Sequence, residues 1–229
     1  MDPEEVCPIG EQSCPVLKQI KRLKEKCEEL RELSHTDALT GYFNLRHFLS
    51  ALEVEMERTR RTALSTGLIM MDLDYFKRIN DTYGHEAGNT VLRWATDLLR
   101  QRIRRIDIPC RYGGEEFAFI LPGTPSIQAR LTAERLRRAL ANNTLVLKNK
   151  RISLTASFGV GVYAGEQGLS VDSMIEKADR YLLEAKTNGR NCVCSEEGLT
   201  AAASTEITEE ERTVLYTPPN SSEDEDGNR

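Results

Sequence analysis

Two adjacent glycines, Gly113 and Gly114, stand between a short β-prone piece that reaches Tyr112 and the apolar run Phe117-Ala118-Phe119-Ile120-Leu121. Glycine takes positive φ without steric cost, so the pair predicts a tight, exposed hairpin turn in the middle of the chain. The turn is followed by two consecutive carboxylates, Glu115 and Glu116, which fall on alternate faces of the returning strand. Nothing bulky precedes Glu115, so it can meet a metal ion or a substrate. Equally, two acids can simply keep a hairpin solvated. On these residues alone both readings stay open.

A second acidic stretch favours the site. Leu68-Ile69-Met70-Met71 has the pattern of a buried strand and ends in Asp72-Leu73-Asp74. Carboxylates at the carboxyl end of a strand, beside a backbone carbonyl free to coordinate, suit the hard cation Mg²⁺, which takes few protein oxygens together with substrate phosphates. Asp72 and Glu115 are therefore expected to share one site. Further motifs are Asp37-Ala38-Leu39-Thr40-Gly41, Tyr75-Phe76-Lys77, Ile79-Asn80-Asp81, Tyr83-Gly84-His85, Ala156-Ser157-Phe158-Gly159-Val160 and Ala185-Lys186-Thr187-Asn188-Gly189-Arg190-Asn191. In these motifs and in their order, the chain from about Ser34 to Cys194 resembles the GGDEF family of diguanylate cyclases. The signature is carried here as Gly113-Gly114-Glu115-Glu116-Phe117.

The 229 residues suit one globular domain with extensions. A net charge of -5 argues against nucleic-acid binding by bulk electrostatics, so phosphate contacts must come from local basic residues. No apolar run approaches a membrane span, and the N-terminus lacks a basic region followed by an apolar one; a cytoplasmic protein is expected. The six cysteines are too scattered for a disulfide framework, so free thiols are expected. Cys7-Pro8 and Cys14-Pro15 supply only half of a tetrahedral metal site and are read as part of a loose arm.

Val16, Ile20, Leu23, Cys27 and Leu30 repeat at spacings of four and three among Lys and Glu, a heptad seam that predicts a helix able to pair with a second copy. The patterns then predict a helix over 45–61, a strand over 67–72, a polar irregular connection over 75–84 and a helix over 86–102. After the glycine hairpin they predict a helix over 127–141, a β-prone piece at 144–147, a long strand over 152–163, a helix over 171–186 and a last strand at 191–194. From Ser195 the chain turns polar and acidic, and disorder is expected. The domains are thus 1–34, arm and coiled-coil stalk; 35–194, the cyclase-like domain; and 195–229, an acidic tail. Strands separated by helices, with one central hairpin, give an α+β class: an antiparallel-containing sheet flanked by helices.

The resemblance implies more. It implies the palm-like nucleotidyl cyclase fold, condensation of two GTP into cyclic di-GMP with release of pyrophosphate, and a homodimer set by the N-terminal helix. By motif position it implies Asp72, the Leu73 carbonyl and Glu115 as ligands of Mg²⁺ or Mn²⁺, with Glu115, Glu116 and Lys77 in the chemistry. Tyr75, Phe76 and Lys77 would offer backbone amides to the phosphates, Lys186 and Arg190 would add positive charge, and His85, Gly113 and Gly114 would line the substrate. Asn80 would hold the base. The family pattern closes base recognition with an aspartate, where this chain has Asn89, which has one acceptor and one donor in place of a two-oxygen acceptor. That departure leaves room for ATP beside GTP and for a mixed cyclic GMP-AMP product. A receptor without activity is a further alternative, although the full acidic set argues against it. Arg104-Arg105-Ile106-Asp107 stands where the family carries its product-inhibition site for cyclic di-GMP, with Arg135 as a possible second arginine.

Overall fold

The computed structural model describes residues 15–33, 35–147 and 150–196. Helix α1, Pro15–Leu33, covers the heptad seam. Ile20 and Leu23 of that seam are 39% and 58% exposed in the single chain. The arm carrying Cys7 and Cys14 and the tail from residue 197 lie outside the described residues. Helix α2, Leu45–Thr62, begins at Asn44, whose side chain accepts from the His47 amide at 3.0 Å, satisfying one of the donors that every helix start leaves over.

The remaining elements are β1 (Thr66–Leu73), α3 (Phe76–Tyr83), α4 (His85–Arg100), β2 (Ile108–Arg111), β3 (Glu116–Leu121), α5 (Ser126–Ala141), β4 (Thr144–Leu147), β5 (Lys150–Ser153), β6 (Ala156–Tyr163), α6 (Val171–Thr187) and β7 (Val193–Ser195). The main sheet has the order β2-β3-β1-β6-β7, with every neighbouring pair antiparallel except β6 and β7. Strand β1 sits in the middle, and its near-continuous apolar run follows from having both faces covered. Leu68 and Met70 pack with Ala118, Ile120 and Tyr163 under α2 and α6. Ile69, Met71 and Leu73 pack with Phe117, Phe119, Phe158 and Val160 under α4 and α5. Asp72 ends the first of these rows, so it emerges on the α6 side.

Two segments depart from the sequence expectation. Residues 75–84, expected to be irregular, contain α3. Asn80, Asp81 and Thr82 are weak helix formers, but Phe76 is buried and Ile79 packs on the core, so tertiary contact holds this short helix in place. The single strand expected over 152–163 is two strands in two sheets: β5 pairs only with β4, while β6 joins β1. The break falls at Leu154-Thr155, just before β6, where the Thr155 carbonyl accepts from the Asp74 amide at 2.9 Å in continuation of the β1–β6 register. Strand β7 runs through Ser195, and Glu196 pairs with Lys177 at 2.8 Å. Cys110, Cys192 and Cys194 are buried free thiols. Among the described residues no helix is long and apolar enough to cross a membrane.

Helix α6 lies directly on β6 because Gly159 carries no side chain: a Cβ there would overlap the Ala178 carbonyl oxygen and the Leu182 amide, both backbone atoms that cannot swing aside. Gly159→Ala is accordingly expected to cost about 2–4 kcal/mol of stability by overpacking. Urea unfolding followed by circular dichroism checks this, and a loss below measurement error would contradict the close contact.

Candidate active site

The two acidic stretches meet. In the β1–β3 register Asp72 pairs with Glu116, and the Leu73 amide donates to the Glu115 carbonyl at 3.3 Å. Asp72, Glu115 and Glu116 are all half-buried. Burial first, and then the charges of Asp72 and Glu116, push the Glu115 carboxyl above its ordinary range, with Lys186 pulling it back. Burial also raises Asp72 against the pull of Lys186, whose ammonium lies 2.8 Å from Asp72 Oδ2. A cation is thus already accepted at this carboxylate. Among the described residues no three His, Cys, Asp or Glu side chains converge into a metal cage. Two carboxylates and a carbonyl form the sparse, hard-oxygen donor set that suits Mg²⁺ or Mn²⁺ when phosphate and water complete the shell.

The hairpin is present, but neither Gly113 nor Gly114 has the left-handed φ expected of it. The turn closes through the Tyr112 and Gly113 amides, which both donate to the Glu116 carbonyl at 2.9 and 3.2 Å. The space at 113 is taken up differently: a Cβ there would come within 2.6 Å of Glu116 Oε2 and would push the end of that side chain aside. Gly114 is exposed with open space around it.

Asp74, read from the sequence as part of the ligand cluster, is occupied elsewhere. It is buried and accepts from Ser157 Oγ at 2.7 Å, Thr155 Oγ1 at 2.7 Å and the Asn191 amide at 3.1 Å. These bonds fasten the end of β1 to β6 and to the loop after α6. Asn191 is also held by Arg137, whose Nη1 donates to Asn191 Oδ1 at 2.8 Å while Glu134 grips the same guanidinium. The sequence gave no sign of Arg137, which sits at an ordinary helix position.

Around this frame, Tyr75, Phe76 and Lys77 form the start of α3. Tyr75 has φ 57°, a left-handed value that costs a residue with a Cβ about 1–2 kcal/mol. Its ring faces the guanidinium of Arg190 at 4.7 Å. Lys77 is exposed, as is His85 at the first position of α4. Asn80 and Asn89 lie on the paired helices α3 and α4. Asn80 rests on Gly88, where a Cβ would collide with its Oδ1, so the residue beside Asn89 is the one that admits Asn80. Neither asparagine side chain has a hydrogen-bond partner among the described residues.

A connection that the motifs alone did not reveal joins the turn to the segment after α1. Arg111 Nη1 meets both Asp37 oxygens at 3.2 Å, while its Nη2 and Nε donate to the Gly114 carbonyl at 2.8 and 3.2 Å. On the far side of the sheet edge, Asp107 accepts from the Arg104 amide at 2.7 Å, and its other oxygen is buried without a partner. Burial pushes the Asp107 carboxyl up, against the Arg104 amide and the charges of Arg104 and Arg135. The three residues expected at a second site are therefore neighbours, although Arg135 Nε is engaged by the Arg102 carbonyl at 2.8 Å.

A mixed sheet whose central strand delivers an aspartate beside a glycine–glutamate hairpin defines a class, and comparison with known proteins identifies it. The family described as "Diguanylate cyclase, GGDEF domain" matches residues 34–192, and the chain belongs to that family. Response regulator PleD of Caulobacter vibrioides is 36% identical over 201 residues, covering 84% of this chain and 43% of its own. Diguanylate cyclase A of Treponema denticola is 37% identical over 171 residues, covering 72% and 45%. This chain thus spans less than half the length of either. The solved GGDEF domain of DgcB from Caulobacter crescentus, in complex with c-di-GMP, superposes with a TM-score of 0.68 at 30% identity, over 72% of this chain and 94% of that one.

The Asp37–Arg111 pair gives a pH prediction. Burial raises the Asp37 carboxyl, but the Thr40 hydroxyl and amide and the Arg111 charge outweigh it, so its pKa lies below the ordinary value of 3.8. A depressed carboxylate contributes stability above its unfolded pKa and loses it as pH falls through the folded one. Asp37→Asn should therefore be about 1 kcal/mol less stable than the native chain at pH 7, and the gap should close as pH falls below the ordinary carboxylate value. Denaturant midpoints of the two proteins across pH 3–7 check this, and a gap that persists undiminished at the acid end would contradict it.

Proposed function

We propose that this GGEEF-type chain is a diguanylate cyclase that condenses two GTP molecules into cyclic di-GMP with release of two pyrophosphates. The observation that carries the reading is the convergence of Asp72 and Glu115 at one point of the sheet, with Lys186 and Arg190 beside them. A donor set this sparse is poor for binding a metal alone and good for binding one together with a triphosphate. Asp72, the Leu73 carbonyl and Glu115 would hold a divalent cation, which when bound neutralises phosphate charge and acidifies the attacking hydroxyl.

The chain's own groups do the rest. Lys77, Lys186 and Arg190, with the amides of Tyr75, Phe76 and Lys77, fix the β and γ phosphates, so that the α-phosphate faces outward. Glu115 or Glu116 takes the proton of the ribose 3′-hydroxyl as that oxygen bonds to the α-phosphorus and the bond to the bridging oxygen of pyrophosphate breaks. His85, Gly113 and Gly114 line the nucleotide, and Asn80 and Asn89 face the base. Each chain holds one GTP, so two copies must appose their nucleotides. The heptad pattern of α1, with Ile20 and Leu23 exposed in the single chain, is suited to bring them together as a homodimer. Free thiols and the nucleotide substrate fit a cytoplasmic setting.

A second reading concerns the base. Asn80 and Asn89 both present unengaged amides, and an amide's donor–acceptor pair also complements the adenine edge. Loss of a charged hydrogen bond to guanine costs about 1.5–3 kcal/mol of discrimination, so a mixed cyclic GMP-AMP product is the expected side activity. Cyclic di-GMP would bind back at Arg104, Asp107 and Arg135, where a buried carboxylate oxygen still lacks a donor.

Purified protein given GTP and Mg²⁺ should release pyrophosphate, with specific activity rising with protein concentration. Asp72→Ala and Glu115→Ala should lower turnover about 100-fold or more while staying folded. A folded Glu115→Ala protein with native turnover would refute the assignment. With equal GTP and ATP, mass analysis should find cyclic GMP-AMP, and Asn89→Asp should restore pure cyclic di-GMP; cyclic di-GMP alone from both proteins would make Asn89 neutral.

Product feedback is a separate expectation. Added cyclic di-GMP should slow the native chain and leave Arg104→Ala unaffected, as read from initial rates of pyrophosphate release. Equal inhibition of both proteins would place the inhibitory contact elsewhere.

A further inference from the structure

Tyr75 follows Asp72-Leu73-Asp74 directly, and two features of it go unused by a role for its backbone amide alone. It holds a left-handed φ of 57° although it is not glycine, and its ring is 55% exposed while the residues on either side, Asp74 and Phe76, are buried. A large aromatic ring standing out of a strand-to-helix junction needs a reason, because glycine would take the same left-handed turn without the cost of a Cβ.

The ring has cationic neighbours. The Arg190 guanidinium lies 4.7 Å from its centroid and that of Arg78 lies 5.7 Å away, both within the range of a cation–π contact. Arg190 is presented by a run of left-handed residues, Gly189 at 97°, Arg190 at 64° and Asn191 at 44°. Its backbone is fixed on both sides: its amide donates to the Ala185 carbonyl at 3.1 Å, and the next amide is held by Asp74. Its side chain is another matter. Among the described residues the Arg190 guanidinium has no hydrogen bond and no ion pair, while the other cation of that motif, Lys186, is tied to Asp72. Among the described residues the Tyr75 ring is its one close partner, with the Asp72 charge acting on it as a weaker influence.

We propose that Tyr75 is a positioning residue: its ring is a platform that holds the Arg190 guanidinium over the phosphate end of the nucleotide site before substrate arrives. A free arginine side chain samples many rotamers and loses that freedom on binding. Docked on the ring, it keeps its planar fork available at the edge for a phosphate, since a cation–π contact uses the face of the guanidinium and none of its N–H donors. The phenol hydroxyl plays no part, so Phe should serve and a small residue should not. The ring touches no reacting atom and acts only by pre-ordering Arg190, so its loss is expected to show mainly as weaker binding of the terminal phosphates.

This inference rests on the proposed nucleotide site, and the experiment separates the two. Binding of the Mg²⁺ complex of a GTP analogue with a methylene between the α and β phosphates is measured by calorimetry for the native chain, Tyr75→Ala, Tyr75→Phe, Arg190→Ala and the double variant Tyr75→Ala/Arg190→Ala. GMP serves as the ligand without the distal phosphates. Tyr75→Ala should weaken the triphosphate by about threefold to tenfold and GMP by less than about twofold. It should raise the KM for GTP with little change in kcat, and Tyr75→Phe should restore both. In the Arg190→Ala background, Tyr75→Ala should add less than about twofold. If Arg190→Ala leaves triphosphate binding unchanged, the site reading itself fails. If Arg190→Ala weakens binding but Tyr75→Ala does not, or if the two losses simply multiply, the platform is refuted while the site stands.

Discussion

The buried carboxylate of Asp74 is the interaction on which the site depends. A charge so enclosed survives only if its lone pairs are met by donors, and those donors come from two separate parts of the chain: Thr155 and Ser157 around the start of β6, and the backbone of Asn191 after α6. Because Asp74 lies two residues beyond Asp72, these bonds fix the β1 end against the loop that carries Arg190 and against the helix that carries Lys186. The acidic and basic halves of the site are thus set relative to each other by a residue that belongs to neither. The Thr155 hydroxyl that serves this carboxylate lies at the interruption between β5 and β6.

Within that frame the charges are arranged to be used. Lys186 sits on Asp72, and Glu115 feels both Asp72 and Glu116. Such a cluster is unfavourable until more positive charge arrives, because several carboxylates share one partly dehydrated place. A net charge of -5 over the whole chain therefore says little about what the site binds. Local geometry decides it: acids on the β1 and β3 ends, cations on the α6 side, and unengaged amides on α3 and α4.

How much of this was legible beforehand follows from what each residue type reveals. The positions of β1, β3, α2, α4, α5 and α6 were readable because an apolar run bounded by polar turns, or a 3.6-residue period, survives in a single sequence. Helix α3 was hidden because its stability comes from Phe76 and Ile79 touching the core and not from its own propensity. Gly113 was expected to adopt positive φ and is instead a space left for the Glu116 side chain, a distinction that spacing cannot carry. Asp72 and Asp74 look alike in the sequence and do opposite work, one facing the site and the other buried behind it. Alternation along a strand separates Leu73 from both but does not separate the two acids from each other, since they are two apart; only the bend after β1 does. Arg137 was invisible for the same reason, as nothing local distinguishes it from its neighbour Arg138.

The segment after the stalk helix shows a further level of organisation. Phe43 bridges to Cys110 at the open edge of the sheet, its amide donating to the Pro109 carbonyl at 3.0 Å and its carbonyl accepting from Arg111 at 2.9 Å. This blunts an edge that would otherwise offer unpaired backbone to other chains. The strap is pinned on the opposite side too, where Tyr42 reaches the Thr96 carbonyl at 2.9 Å and Arg100 lies over the Tyr42 ring at 5.1 Å. Gly41, Tyr42 and Phe43 then line a cavity of about 460 Å³ together with Arg104 and Asp107. Asp37, a few residues earlier, holds the arginine that grips the Gly114 carbonyl. One short strap is therefore bonded to the arginine that holds the glycine hairpin and lines a cavity together with the arginine–aspartate turn.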